Sequence, residues 1–228
     1  MWGVAPIVAL VGCSDAAGPT GEQELQVSVR VLNNVSSGMA SAVAPTGANA
    51  AITVQIESAV FVIGGLKLET AGFGSTVDWV FDESVVIPLD LTGDPVLAFD
   101  TDVPAGVYKE LEVSVDKLEV GNPAEEPLIT AWPGLAHPSV LVTGTVTTDD
   151  GAPEAFTFTA ALDIDLELLF DTPLTFTEGD DGVTLVSITI DVNGWFSENG
   201  GVLDPTDPAN RSAIESNIQA SVELRGNE

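Results

Sequence analysis

The stretch from Phe156 to Phe170, F-T-F-T-A-A-L-D-I-D-L-E-L-L-F, constrains the fold more than any other part of the chain. Phe156, Phe158, Ala160, Leu162, Ile164, Leu166 and Leu168 share one parity, while Thr157, Thr159, Ala161, Asp163, Asp165 and Glu167 share the other. A period of two means a β-strand with one dry face and one acidic, wet face. At about 3.3 Å per residue the run would reach roughly 50 Å, far longer than an ordinary strand. A bend or bulge near Ala160–Ala161 is therefore expected, or a strand divided between two sheets.

The rest of the chain repeats this pattern in shorter pieces. Leu25, Val27, Val29 and Val31 alternate, then an Ala/Ser/Gly-rich loop without period, read as mobile, covers Asn33 to Ala51. Ile52, Val54 and Ile56 form a second run whose parity changes near Ser58, and Gly64-Gly65 is a hairpin signal before Leu66 and Leu68. Val77 to Phe81 and Val85 to Leu91 follow, with Pro88 placing the latter at an edge or bulge. Val96 to Phe99 is short; Pro104 and Gly106 turn the chain into a strand from Tyr108 to about Val120. Val140 to Val146 turns through Asp149-Asp150-Gly151 into the long run, and Val186 to Val192 is the last strong strand, closed by Trp195-Phe196. One helix is expected: Asp207 as N-cap, Pro208 in the first turn, and Ile214, Ile218 and Val222 on one face. About ten strands with Gly, Asp and Pro turns predict an all-β, antiparallel β-sandwich with one short C-terminal helix.

Charge removes whole classes of function. Of 228 residues, 35 are Asp or Glu and 6 are Lys or Arg, for a formal charge of −29. Nucleic acid is excluded as a partner, and so is a polybasic membrane contact. A mean hydropathy of +0.30 still allows a real core. The acidity reads first as a solvated surface, with salt adaptation or cation sites as alternatives.

Residues 1–13 read M-W-G-V-A-P-I-V-A-L-V-G-C and end at the only cysteine. Val4 to Val11 is apolar, and Leu10-Val11-Gly12-Cys13 resembles the bacterial lipoprotein box, which is cut before a cysteine that then carries lipid. Acyl chains anchor through roughly 0.8 kcal/mol per buried methylene. No Lys or Arg precedes Cys13, so the basic part of a signal is missing. Ser14 to Glu24 is small and polar, as a tether should be. The expected organisation is a signal segment 1–13, a tether 14–24 and a single sandwich domain 25–228. By the same resemblance, Ser14 after the cysteine favours the outer over the inner membrane of the cell envelope.

Further pieces extend the resemblance. They are Val103-Pro104-Ala105-Gly106-Val107-Tyr108, Ser139-Val140-Leu141-Val142-Thr143-Gly144, and Trp195-Phe196 followed by Leu203-Asp204-Pro205 and Asn217-Ile218. In this order they resemble a family of uncharacterised bacterial lipoproteins with a transthyretin-like or immunoglobulin-like β-domain. The resemblance implies the sandwich, lipid at Cys13, a bilayer partner and no known activity. A more distant likeness is to periplasmic proteins encoded with copper-peptide (methanobactin) systems. His137, Met1 and Met39 are the only other imidazole or thioether ligands, too few for a copper site of the chain's own.

An enzyme is a poor fit. His137 lies in Ala-His-Pro with no nucleophile motif nearby, and Asp163 with Asp165, although spaced on one strand face like a glycosidase pair, belong to a generally solvated acidic surface. No cofactor is required, and the residues allow calcium. Asp204, Asp207 and Asn210 in one loop, and Glu178, Asp180 and Asp181 in another, cluster oxygens without the EF-hand spacing. For a glycan or protein ligand, Trp132 in the proline-rich connection Gly121–Pro138 is the stacking candidate, with His137 beside it; Trp79 and Trp195 suit the core. The sequence therefore predicts a non-enzymatic, lipid-anchored envelope protein with a binding or surface-structural role. The alternative is a calcium- or other metal-linked periplasmic accessory protein.

Overall fold

A computed structural model describes residues 23–32, 41–43, 52–72, 77–148, 151–177 and 182–226. In chain order the strands are β1 (Gln23–Leu32), β2 (Ser41–Val43), β3 (Ile52–Ile63), β4 (Gly65–Thr70), β5 (Trp79–Phe81), β6 (Val85–Pro88), β7 (Val96–Val103) and β8 (Gly106–Val115). After helix α1 (Glu126–Ala131) come β9 (Val140–Thr148), β10 (Glu154–Ala160), β11 (Ile164–Phe176), β12 (Val183–Asp191), β13 (Ser197–Glu198) and β14 (Gly201–Val202). Helix α2 (Arg211–Ala220) and β15 (Val222–Gly226) follow. The fold is all-β, as the alternation predicts.

Among the described residues, three larger sheets carry it: β15-β12-β1-β7, β10-β9-β3-β2 with β6 on β3, and β11-β8-β4-β5. Pairing within them is antiparallel except for β1 with β12, which run parallel from Glu24↔Val183 to Leu32↔Asp191. That joins the first described strand to a late one. An apolar core draws on all three sheets, from Leu25, Val27 and Val29 through Phe61, Leu68 and Leu111 to Ile188 and Trp195.

The long run behaves as its length requires. β10 ends at Ala160, β11 begins at Ile164, and the two lie in different sheets. Phe156 to Leu166 stay buried on the dry parity across the break, while Ala161, Asp163, Asp165 and Glu167 stay exposed. Ser139 pins the break. Its hydroxyl accepts from the Leu162 N–H at 2.7 Å and donates to the Leu162 carbonyl at 2.8 Å, fully buried.

The parity change near Ser58 is a β-bulge. Ile56 pairs with Gly144 and Ser58 with Thr143, which leaves Glu57 as the inserted residue. A methyl group at Gly144 would sit 2.0 Å from the Gln55 carbonyl oxygen, so only glycine lets the bulged strand approach.

Several expectations are corrected. Gly64-Gly65 is not a hairpin: β3 belongs to one sheet and β4 pairs with β8 and β5 in another, so the glycines mark a step between sheets. β7 runs to Val103 because Asp100 and Asp102 stand on its wet face, an alternation that extends past Phe99. β8 stops at Val115. Ser41–Val43, inside the stretch read as loop, pairs with β3; the rest of Asn33 to Ala51 lies outside the described residues. The helix from Arg211 buries Ile214 and Ile218, but Val222 opens β15, paired with Ile190. Helix α1 is an addition to the expected elements, since six residues carry too little period to be read. The described strands number more than ten because the long run divides into β10 and β11 and because the short strands β2, β13, β14 and β15 carry too little alternation to be read.

Candidate functional site

The loop 204–210 does bring Asp204, Asp207 and Asn210 together, and their groups serve the turn. Asp204 Oδ1 accepts from the Thr206 N–H and hydroxyl, Asp207 Oδ1 accepts from the Ala209 N–H, and Asn210 Nδ2 donates to the Asp204 carbonyl. Asp207 caps a short 3-10 turn, Pro208–Asn210, that leads into α2. Glu178, Asp180 and Asp181 lie outside the described residues. Among the described residues no cluster of three or more His, Cys, Asp or Glu side chains is placed to hold a metal ion.

Trp132 sits where α1 ends and a 3-10 turn, Pro133–Leu135, begins. Val60 and Val62 project from the outer face of β3, away from the main core, and form a second cluster with Leu118 and Leu135. Leu128 and Ile129 of α1 and Trp132 pack over that cluster. Half-buried Trp132 is thus neither fully exposed nor a buried plug, since it packs on the cluster and still lines a cleft, and exposed His137 lies five residues on, beyond the turn. What sequence reasoning missed is the floor beneath the indole. An open cleft of about 470 Å³ is lined by Trp132, Val60, Pro88 and Leu91, with the carboxylates of Glu57 and Asp90. The bulge supplies Glu57 and β6 supplies Pro88, so elements distant in sequence meet there. Thr92 donates its N–H at 2.8 Å and its hydroxyl at 2.6 Å to Asp90 Oδ1. These bonds hold the carboxyl of Asp90 below its ordinary value of 3.8. The nearby hydroxyl of Ser58 is bonded to that of Thr143 at 2.8 Å. The parity change at Ser58 is the one signal of this floor that the sequence carries.

Two of the other clefts among the described residues adjoin the motifs quoted above. One of about 510 Å³ lies by Trp79 and the Pro104–Tyr108 corner. The Tyr108 hydroxyl donates to the Pro104 carbonyl at 3.0 Å, and its ring lies 3.1 Å from where a methyl group on Gly106 would be. This explains the P-A-G-x-Y order as a tyrosine corner. The other, about 370 Å³, lies among Asp191, Asn217, Ser221 and Arg225. There the Trp195 indole N–H donates to Ser221 Oγ at 2.8 Å, and Asn217 Nδ2 donates to the Trp195 and Ser197 carbonyls. Trp195 is fully buried against Phe61, and Trp79 is half-buried against the core.

Several acidic residues stand on the wet face of the β11-β8-β4 sheet. Lys67, Glu112 and Glu167 form one cross-strand row, and Glu69, Glu110 and Leu169 the next. Lys67 bonds Glu112 at 3.0 Å and Lys109 bonds Glu69 at 2.9 Å. Lys109 holds Glu69 below its ordinary value, whereas desolvation and then the neighbouring Glu69 push Glu110 above its own. Asp163 and Asp165 are exposed, Asp165 on β11 and Asp163 in the break before it. Cys13 lies outside the described residues. No helix among the described residues is long and apolar enough to cross a membrane.

Compared with known proteins, the chain matches no family model and no curated sequence. Among solved structures, MbnP from Methylosinus trichosporium is similar over 90% of this chain and 99% of its own, at 15% identity and a TM-score of 0.39. At that score the likeness carries no functional argument.

Proposed function

We propose that the chain is a non-enzymatic, lipid-anchored binding protein of the bacterial cell envelope, and that its ligand occupies the Trp132 cleft. The observation that carries the binding role is the construction of the cleft. A large aromatic side chain is held over an opening of about 470 Å³ between α1, the bulge of β3 and the turn after β6. That volume suits a small molecule. Apolar walls with a few polar groups are the usual make-up of such sites. Support for binding over catalysis comes from the groups at hand: an indole, two carboxylates, and a serine hydroxyl already bonded to Thr143. The anchor rests on Leu10-Val11-Gly12-Cys13 and its resemblance to the lipoprotein box, and Ser14 favours the outer membrane.

Thermal unfolding of the full-length, detergent-solubilised protein against a panel of sugars, amino acids and amines tests the cleft. A ligand of the folded state alone stabilises by RT ln(1 + [L]/Kd), so saturation raises the midpoint by several degrees. The expected result is at least one compound whose shift is lost in Trp132→Phe. No shift at millimolar concentration, or shifts untouched by that substitution, would contradict the cleft as the binding site.

A further inference from the structure

The Trp132 cleft has a charge character as well as a shape. Glu57 is the inserted residue of the β3 bulge, without a partner on β9, and it is exposed. Alternation from core-facing Ile56 turns residue 57 to the outer face, and the bulge keeps Ser58 there as well before Ala59 returns to the core. Asp90 comes from the neighbouring chain segment after β6, which continues the pairing with β3 through the Leu89 N–H and the Ala59 carbonyl, and it is fixed by Thr92 through Oδ1, so its carboxylate is both oriented and ionised. Among the described residues no Lys or Arg lines the cleft. Of the six Lys and Arg in the chain, Lys67, Lys109, Arg211 and Arg225 are in ion pairs with glutamates elsewhere on the surface. The cleft therefore combines an indole, apolar walls and two acidic residues, with no Lys or Arg among its lining residues, in a molecule of charge −29.

An indole attracts a positive charge through its ring quadrupole, and the attraction grows when the cation sheds water. Apolar walls favour a cation wearing methyl or methylene groups over a hydrated metal ion, which needs clustered oxygens. We infer that the cleft binds a small organic cation, an aliphatic amine or quaternary ammonium compound, with its charge shared by Trp132, Glu57 and Asp90. This rests on the reading of the cleft as the binding site and adds the class of ligand.

The test is calorimetric titration of the full-length protein in detergent, with empty micelles as blank and about 0.15 M potassium chloride to screen diffuse attraction. The probes are choline and its neutral carbon isostere, 3,3-dimethylbutan-1-ol. The proposal expects saturable choline binding, about tenfold weaker binding of the isostere, and about tenfold weaker choline binding in Glu57→Gln/Asp90→Asn. Both replacements keep shape, and the side-chain amide oxygen that Asp90→Asn leaves in place still accepts from Thr92, so the fold is retained. Circular dichroism of the variant checks that. Equal affinity for the two probes would overturn the cationic ligand while leaving the cleft as a binding site. Choline affinity unchanged in the double variant would overturn it too, since the charge would then be held elsewhere. Failure of both probes to bind would overturn the inference, and a hit among the neutral compounds of the thermal panel would then show that the cleft reading survives it.

Discussion

Ser139 has no apolar side chain to contribute, yet it holds the sheet change that the longest apolar run requires. Its hydroxyl satisfies both the N–H and the carbonyl of Leu162 in a fully buried setting. Replacing it with alanine leaves two backbone groups without that partner, at a cost of about 1–3 kcal/mol for each group left unsatisfied. Ser139→Ala should therefore lower the urea midpoint at unchanged slope by the equivalent of about 2 kcal/mol or more. A change within error would mean that water replaces the hydroxyl there. Gly144, Gly106 and Tyr108 belong with Ser139. Each solves a local problem of backbone approach, at the bulge or at the corner. The short motifs behind the lipoprotein resemblance thus have structural work to do. Trp195, Asn217 and Ser221 likewise fasten α2 to the core.

Among the elements, the acidic sheet face opposes its own stability at neutral pH. Glu110 has a raised folded value, so its ionisation costs more in the folded than in the unfolded chain. That penalty is absent below its ordinary value of 4.5 and complete once pH exceeds the folded value. Glu69 works the other way. Its lowered value stabilises above 4.5, and this contribution is lost as pH falls through the folded value. Glu110→Gln should raise the melting midpoint at pH 7 by on the order of 1–2 °C, because it removes a partly desolvated charge that also faces Glu69 across the strands. The gain should shrink toward pH 4.5 and in molar salt. A gain independent of both would locate the effect in packing. The strands themselves were legible in the sequence, because period-two alternation such as that of Leu25 to Val31 is read locally. The dry parity of Phe156 to Leu166 even predicted its own break. Sheet membership was not legible. Gly64-Gly65 looks like any hairpin turn, and only the pairing of β4 with β8 shows otherwise. Val222 fits a helical face by spacing, yet antiparallel pairing with β12 claims it for β15. The cleft was legible only in halves: Trp132 as a candidate and Ser58 as a parity change. Their meeting depends on α1, whose six residues give no periodic signal.

For the whole molecule, the proposed function joins a β-sandwich bearing an aromatic cleft to an anchor at its only cysteine. The charge of −29 fits a protein held at a surface and kept from aggregating by repulsion. It does not by itself name a ligand. The anchor decides between an envelope protein and any other setting, and so it decides whether the cleft faces envelope solutes at all. Intact and N-terminal peptide mass spectrometry of the chain, expressed from its native gene in a bacterium, reads the anchor without intermediate assumptions. The expected result is a mature chain that begins at Cys13, with a lipid mass on its sulfur, and no such product from Cys13→Ala. A mature chain that retains residues before Cys13, or that carries a free Cys13 thiol, would contradict the envelope reading.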